Sequence, residues 1–258
     1  MHKLIVVGTG IKSISHLTEE TKRVIQNADK VLYLVNEDNI KQWIEREAKE
    51  AESLDPIYFS SDQRIESYQA ITNLIIDEYQ KVSVLCVVFY GHPSVFADSA
   101  LNAVRQIKRD GGDAIILPAV SAQDCLFSDL EIDPGDQGCF SIEATELVLF
   151  ERNIDVHAHF LLWQVANFGR IDGKKTNKLS ILKNYLFGYY PPDYSICLYE
   201  ASTLPTLHPR IEWNPLSSLD ESDINPTTTV YIPPLEKKAI NNQYLKLLEL
   251  AIDDLTIK

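Results

Sequence analysis

Arg64 and Tyr68 are four residues apart and share one helix face. That face continues through Ile71 and Ile75, an apolar stripe that must pack on a sheet. An arginine at the head of a buried stripe is costly unless an anion or a ligand meets it. Tyr58 and Tyr90 can reach the same space from neighbouring loops. Phenols beside one guanidinium suit a reaction that needs a mild base and a cation for negative charge growing on oxygen. Residue types alone favour the plainer reading, an aromatic core edge with Arg64 paired to one of the many acids.

Tyr90-Gly91-His92-Pro93 follows the most continuous apolar run, residues 82–89, which reads as a central parallel strand. Open α/β sheets place ligands at the carboxyl ends of such strands. Gly91 and Pro93 set a sharp turn that presents the amides of Ser94, Val95 and Phe96 at a helix start. Ser121-Ala122 is a further contact point at the same edge, and Gly8-Thr9-Gly10 closes the first strand with a turn that backbone can approach. The dinucleotide fingerprint is incomplete, because position 13 is Ser and Asp29 precedes the second strand. His157 and His159 have no cysteine or carboxylate at ligand spacing, so no metal site is expected.

Strands expected at 4–7, 31–35, 82–89 and 114–117 alternate with helical spacing around 17–28, 40–48, 62–79 and 96–107. This alternation means βαβ units and a mostly parallel sheet. The later half reads as strands at 147–150, 160–163, 195–199 and 229–232, with helices near 178–185 and 244–251. An α/β domain over 1–120 and a mixed α+β domain over 121–258 follow.

The 258 residues carry 24 Lys+Arg against 37 Asp+Glu, a formal charge of -13. That field disfavours nucleic acid as a partner. No stretch approaches the roughly 18 apolar residues of a membrane span, and the N-terminus runs straight into a strand without a signal-peptide pattern. Four separate cysteines with no C-x-x-C suggest a reducing, cytoplasmic setting.

The ordered set Val7-Gly8-Thr9-Gly10, Arg64 with Tyr68, Tyr90 to Phe96, Ser121 to Leu130, Ile132-Asp133-Pro134-Gly135, Leu162-Trp163-Gln164, Tyr199-Glu200-Ala201 and Tyr231-Ile232-Pro233-Pro234 spans nearly the whole chain. It resembles the tetrapyrrole methylase fold class, and within it the borosin peptide backbone α-N-methyltransferases of the split, trans-acting bacterial type. The resemblance implies two α/β domains with a cofactor cleft between them and no fused substrate tail. S-adenosyl-L-methionine would be the cofactor and S-adenosyl-L-homocysteine its product. Arg64, Tyr68, Tyr90 and Tyr58 would form the catalytic set, with Tyr68 as base, Arg64 and Tyr90 holding the imidate oxygen, and the two tyrosines interchangeable. Cofactor contacts would come from Gly10, His92, Pro93, Val95 and Phe96, from Ser121 and Ala122, and from Gln164, Tyr199, Ala201 and Thr229. The expected partners are a second copy, giving a homodimer, and a separate precursor peptide with a leader that forms a heteromeric complex with the enzyme; no nucleic acid or membrane is involved. The alternatives are a precorrin-type C-methyltransferase and a non-catalytic peptide-binding module of the same fold. Two departures stand out: Ala119 where the wider class has Gly, and Glu146 where close relatives have an uncharged polar residue.

Overall fold

A computed structural model describes residues 2–61, 63–172 and 174–255. The chain forms two compact units. One comprises the residues up to Leu130 with Arg170–Lys174 and Ala201–Arg210, and the other takes the remainder. Neither unit is one continuous stretch, and the expected boundary at residue 120 falls inside the first.

The first unit runs β1 (Lys3–Gly8), α1 (Glu19–Asn27), β2 (Lys30–Leu34), α2 (Asp38–Glu47), β3 (Ala51–Ser53), α3 (Asp55–Tyr58), α4 (Arg64–Tyr79), β4 (Val84–Phe89), α5 (Asp98–Arg109), β5 (Asp113–Ile116) and α6 (Ala122–Asp129). Its sheet has the order β3-β2-β4-β1-β5 with every pairing parallel. Side chains alternate across the strands. Leu4, Val6, Leu85 and Val87 face one layer, which includes Ile71 and Ile75 of α4 and Ala100 and Val104 of α5. Val7, Val31, Tyr33, Cys86 and Val88 face the other, built from Ile25 of α1 and Ile40 and Ile44 of α2. Burial of Ile71 and Ile75, at about 1.5–3 kcal/mol each, fixes the rotation of α4 and with it the direction of Arg64 and Tyr68.

The second unit contains α7 (Pro134–Gln137), β6 (Cys139–Glu143), α8 (Ala144–Leu149), β7 (His159–Trp163), α9 (Leu179–Leu186), β8 (Ser195–Glu200), β9 (Arg210–Pro215), β10 (Thr229–Ile232) and α10 (Asn242–Leu247). The strand order is β6-β7-β10-β8-β9. β6 runs parallel to β7, and β10 runs antiparallel to β7 and β8. Its core joins Phe160, Leu162, Leu198 and Val230 to Leu147 of α8 and Leu182 of α9.

Three expectations need correction. The strand expected at 147–150 is the end of α8. Glu143 caps that helix by accepting from the Glu146 amide at 2.8 Å, and Ala144 and Leu147, three apart, both face the core. The helix expected from 96 starts at Asp98, because Phe96 has φ +52° and leaves the helical region. The helix expected from 62 starts at Arg64, and Asp62 lies outside the described residues.

Candidate functional site

In the first unit the carboxyl ends of the parallel strands gather the predicted residues. At the end of β1, Gly10 and Gly91 exchange two backbone hydrogen bonds, N–H to O of 3.2 and 3.1 Å, and both hold positive φ. A Cβ placed on Gly8 would lie 2.2 Å from the Gly91 carbonyl oxygen, 2.7 Å from Pro93 Cδ and 2.7 Å from Ala119 Cβ. The ends of β1 and β4 and the loop after β5 are therefore in direct contact, and glycine at position 8 is what permits it. Ala119, one of the two departures, supplies one wall of that contact. Glu146, the other, is exposed at the first turn of α8, where its charge is solvated.

His16 anchors the loop after β1. Its Nδ1 accepts from the amides of Ile11 and Lys12 at 3.2 and 3.1 Å, and its pKa is lowered by burial and then by Lys12. After β4, His92 Nδ1 accepts from the Ser94 amide at 3.1 Å, and Val95 donates to the His92 carbonyl at 3.0 Å. Val95 and Phe96 are exposed. A non-glycine residue at positive φ costs about 1–2 kcal/mol, so Phe96 stores strain beside this loop. Ser121 begins α6 with a full capping box: its hydroxyl donates to Asp124 Oδ2 at 2.7 Å and accepts from the Asp124 amide at 3.2 Å. Ala122 is the first residue of that helix.

The proposed catalytic residues form two groups at this edge. Tyr58 and Tyr68 stack with ring centroids 6.1 Å apart and share a hydrogen bond, with the Arg64 charge acting on Tyr68. Burial first, then Tyr58, pushes Tyr68 up to about 12; Arg64 opposes this without reversing it. With its pKa pushed that high, Tyr68 is a phenol at neutral pH. Tyr90 is hydrogen-bonded by the Asn36 side chain, and its pKa is raised by burial first, then by Cys125 and Glu37. The backbone of β2 links the groups: Leu54, just before α3, donates to Tyr33, and Tyr90 donates to Leu34. β3 and β4 flank β2 in the sheet.

The sequence reading missed Asn36, Glu37 and His16. The polar run Asn36-Glu37-Asp38-Asn39 at the carboxyl end of an apolar strand was the available signal for the first two.

In the second unit Gln164 directly follows β7 and Thr229 begins β10, which pairs antiparallel with β7. Thr229 stands opposite Tyr199, near the end of β8, so these three share one sheet edge. Gln164 is left-handed at φ +54°, a second strained residue among the predicted contacts. Tyr199 is fully buried, which leaves its backbone as the part able to meet a ligand. Ala201 follows β8 and belongs to the first unit. At the opposite side of this sheet His159 Nδ1 lies 2.8 Å from the Tyr231 hydroxyl, which occupies the imidazole. Among the described residues no group of three or more His, Cys, Asp or Glu could hold a metal. No helix among them is long and apolar enough to cross a membrane.

Residues 3–206 match the family model of tetrapyrrole (corrin/porphyrin) methylases. The chain is 35% identical over 254 residues to the methyltransferase/ribosomally synthesized cyclic peptide dendrothelin A precursor of Dendrothele bispora, covering 95% of this chain and 61% of that protein. It is 34% identical to the corresponding omphalotin A precursor of Omphalotus olearius, covering 96% of this chain and 61% of that protein. It is also 31% identical to a type I borosin cyclic peptide precursor of Coprinopsis marcescibilis, covering 96% and 67%. The chain thus spans about 61% of the length of the first two relatives. Among solved structures it superposes on uroporphyrin-III-C-methyltransferase from Thermus thermophilus with TM-score 0.65 and 16% identity, covering 90% of this chain and 92% of that one. A crystal form of the Thermus thermophilus enzyme complexed with S-adenyl homocysteine gives TM-score 0.65 and 15% identity, covering 90% and 97%.

Proposed function

Because the chain belongs to the tetrapyrrole (corrin/porphyrin) methylase family, we propose that it methylates backbone amide nitrogens of a separate, ribosomally made precursor peptide, with S-adenosylmethionine as donor. The observation that carries this reading is the Tyr58–Tyr68 stack with Arg64 acting on it, at the carboxyl edge of a parallel sheet. The names of the fungal relatives, each a methyltransferase joined to a peptide precursor, support the substrate class. We further propose that the enzyme works as a homodimer and that its substrate is a separate chain.

The residues present fit the cofactor. Phe96 and Gln164 hold strained conformations that a bound ligand would repay. Contacts are assigned to Gly10, His92, Pro93, Val95 and Phe96, to Ser121 and Ala122, and to Gln164, Tyr199, Ala201 and Thr229. When bound, S-adenosylmethionine supplies an electrophilic methyl group on a sulfonium and leaves as S-adenosylhomocysteine.

A peptide nitrogen is a poor nucleophile because its lone pair is delocalised into the carbonyl. The protein must therefore remove the N–H proton while holding the charge that collects on the carbonyl oxygen. Tyr68, kept protonated by burial, donates to that oxygen, and Arg64 neutralises it. Tyr58 orients Tyr68 through their hydrogen bond. Tyr90, directly after β4, supplies the second phenol able to take the proton. Burial raises both phenols, so Tyr68 and Tyr90 stay interchangeable as the proton acceptor.

The test is intact-mass analysis of a small protein encoded beside this one, after incubation with the enzyme and S-adenosylmethionine. Successive single-methyl increments, placed on backbone nitrogens by fragmentation, are expected. Methyl groups on carbon, or an unchanged mass with the cofactor bound, would replace this reading with the C-methyltransferase or the non-catalytic module.

A further inference from the structure

Glu200 is the last residue of β8 and stands between Tyr199 and Ala201, both assigned to cofactor contact. Its Oε1 accepts from the Thr228 hydroxyl at 2.6 Å and from Asn225 Nδ2 at 3.2 Å. Thr228 immediately precedes β10, which pairs antiparallel with β8. Residues 225–228 form a β-turn: the Thr228 amide donates to the Asn225 carbonyl at 2.9 Å, and the Asn225 amide donates to Thr228 Oγ1 at 2.8 Å. Pro226 presets φ at the second position of that turn. The Thr228 hydroxyl is buried, so its proton needs an acceptor, and Glu200 provides one.

We propose that Glu200 is a positioning residue for the cofactor: its carboxylate clamps the turn at 225–228 to the end of β8 and so sets the edge that Tyr199, Ala201 and Thr229 present. This rests on the S-adenosylmethionine reading and holds whichever atom is methylated. Thr229 opposite Tyr199 is the last pair of the β8–β10 ladder. Backbone pairing therefore ends where the assigned contacts begin, and the bond from Thr228 to Glu200 carries the link one residue further. Leu198 and Val230 face the core, so alternation puts Glu200 and Thr228 on the core side of this edge and Thr229 on the opposite face.

The clamp is local and separable from the core. Glu200, Asn225 and Thr228 all belong to the second unit. Glu200 and Asn225 are only half-buried, and the hydrophobic cluster is built from other residues. Removing these bonds should loosen the turn without opening the core. A turn fixed before the cofactor arrives spares the cost of ordering it on binding, which appears as affinity. Hydrogen bonds to a carboxylate are the stronger kind, which suits a clamp at a strand end.

The experiment is calorimetric titration of the full chain with S-adenosylhomocysteine, run beside thermal melts, for Glu200→Ala, Thr228→Val, the double variant and Glu200→Gln. Glu200→Ala and Thr228→Val should each weaken binding about tenfold. The double variant should lose no more than either alone, because both remove the same bond. Glu200→Gln keeps an acceptor oxygen at the same reach and should recover affinity to within about threefold of wild type. A clamp that only supported the fold would lower the melting midpoint and leave affinity unchanged. That result, or losses that add in the double variant, overturns the proposal, and so does a Glu200→Gln protein as weak as Glu200→Ala. Should Glu200→Ala fail to fold, Thr228→Val against wild type decides. A wild type that binds no S-adenosylhomocysteine overturns the cofactor reading and the clamp with it. A wild type that binds it and methylates no peptide overturns the substrate assignment alone.

Discussion

Replacing Gly8 by alanine should damage this protein far more than one methyl group suggests. The new Cβ would sit 2.2 Å from the Gly91 carbonyl oxygen, about 1 Å inside ordinary contact. It would also sit 2.7 Å from Pro93 Cδ and from Ala119 Cβ. None of these can swing aside. The Gly91 carbonyl accepts from the Gly10 amide, the proline ring is rigid, and a methyl group has no rotamer to change. Overpacking costs about 1–3 kcal/mol where neighbours can adjust, so with three rigid neighbours the cost should reach about 3 kcal/mol. For a chain of this size that lowers the melting midpoint by roughly 6–12 °C. Gly111→Ala is the control. Gly111 has φ +80° but nothing within 4 Å of its missing Cβ, so only about 1 kcal/mol of backbone strain is expected. Thermal melts and calorimetric titration with S-adenosylhomocysteine separate the cases: Gly8→Ala should lose about tenfold or more in affinity, and Gly111→Ala should bind as wild type. A Gly8→Ala protein melting within about 2 °C of wild type, or binding as tightly, would refute the close approach of β1, β4 and the loop after β5.

Arg64→Lys and Tyr68→Phe should each retain S-adenosylhomocysteine binding and lose about 100- to 1,000-fold in single-turnover rate; a rate near wild type removes that residue from the mechanism. Phe96→Gly should relieve left-handed strain and raise stability by about 0.5–1 kcal/mol in urea titration, at the expense of cofactor affinity. A destabilised Phe96→Gly would mean the strain is not real. His16 titrates below the usual histidine range in the folded protein, so its contribution to stability is complete above about pH 6.5 and is lost as the pH falls through its folded value. Protonating Nδ1 also breaks the bonds from the Ile11 and Lys12 amides. Acidification from neutral pH should therefore weaken S-adenosylhomocysteine binding. His16→Asn, which keeps an acceptor, should flatten that dependence, and an unaltered pH profile would exclude His16 as the cause.

The parallel sheet was legible because its strands are buried on both faces and its helices carry clear apolar stripes. Residues 82–89 need no tertiary information to read as a central strand, and Ile71 and Ile75 lie on the stripe that the spacing marks. The second unit was harder to read. β6 and β9 are edge strands with partly exposed residues, so their patterns lack an apolar signature. The run at 147–150 is apolar at four successive positions, which fits a helix or a strand equally until the Glu143 cap is seen. No local pattern could disclose that 170–174 and 201–210 return to the first unit. Glu37 was passed over for a related reason. A lone acid in a polar loop looks like solvated charge, and only the burial of Oε2 distinguishes it.

The family supplies a fold and a methyl donor; it does not by itself choose the acceptor atom. Uroporphyrin-III-C-methyltransferase shares this architecture at 16% identity, so the sheet order cannot dictate whether carbon or nitrogen is alkylated. The choice must lie in side chains that the scaffold leaves free to vary. An activated carbon nucleophile needs little help from the protein. An amide nitrogen needs its proton removed and its oxygen charge held at the same moment, which calls for a donor that stays protonated and an acceptor that does not. Burial raises both phenols of the proposed site. Tyr68, pushed up to about 12 and bonded to Tyr58, is suited to donate. Tyr90 is raised as well, by burial first, and is bonded by the Asn36 side chain. Under the proposed reading, the two phenols and the Arg64 guanidinium share that work between them.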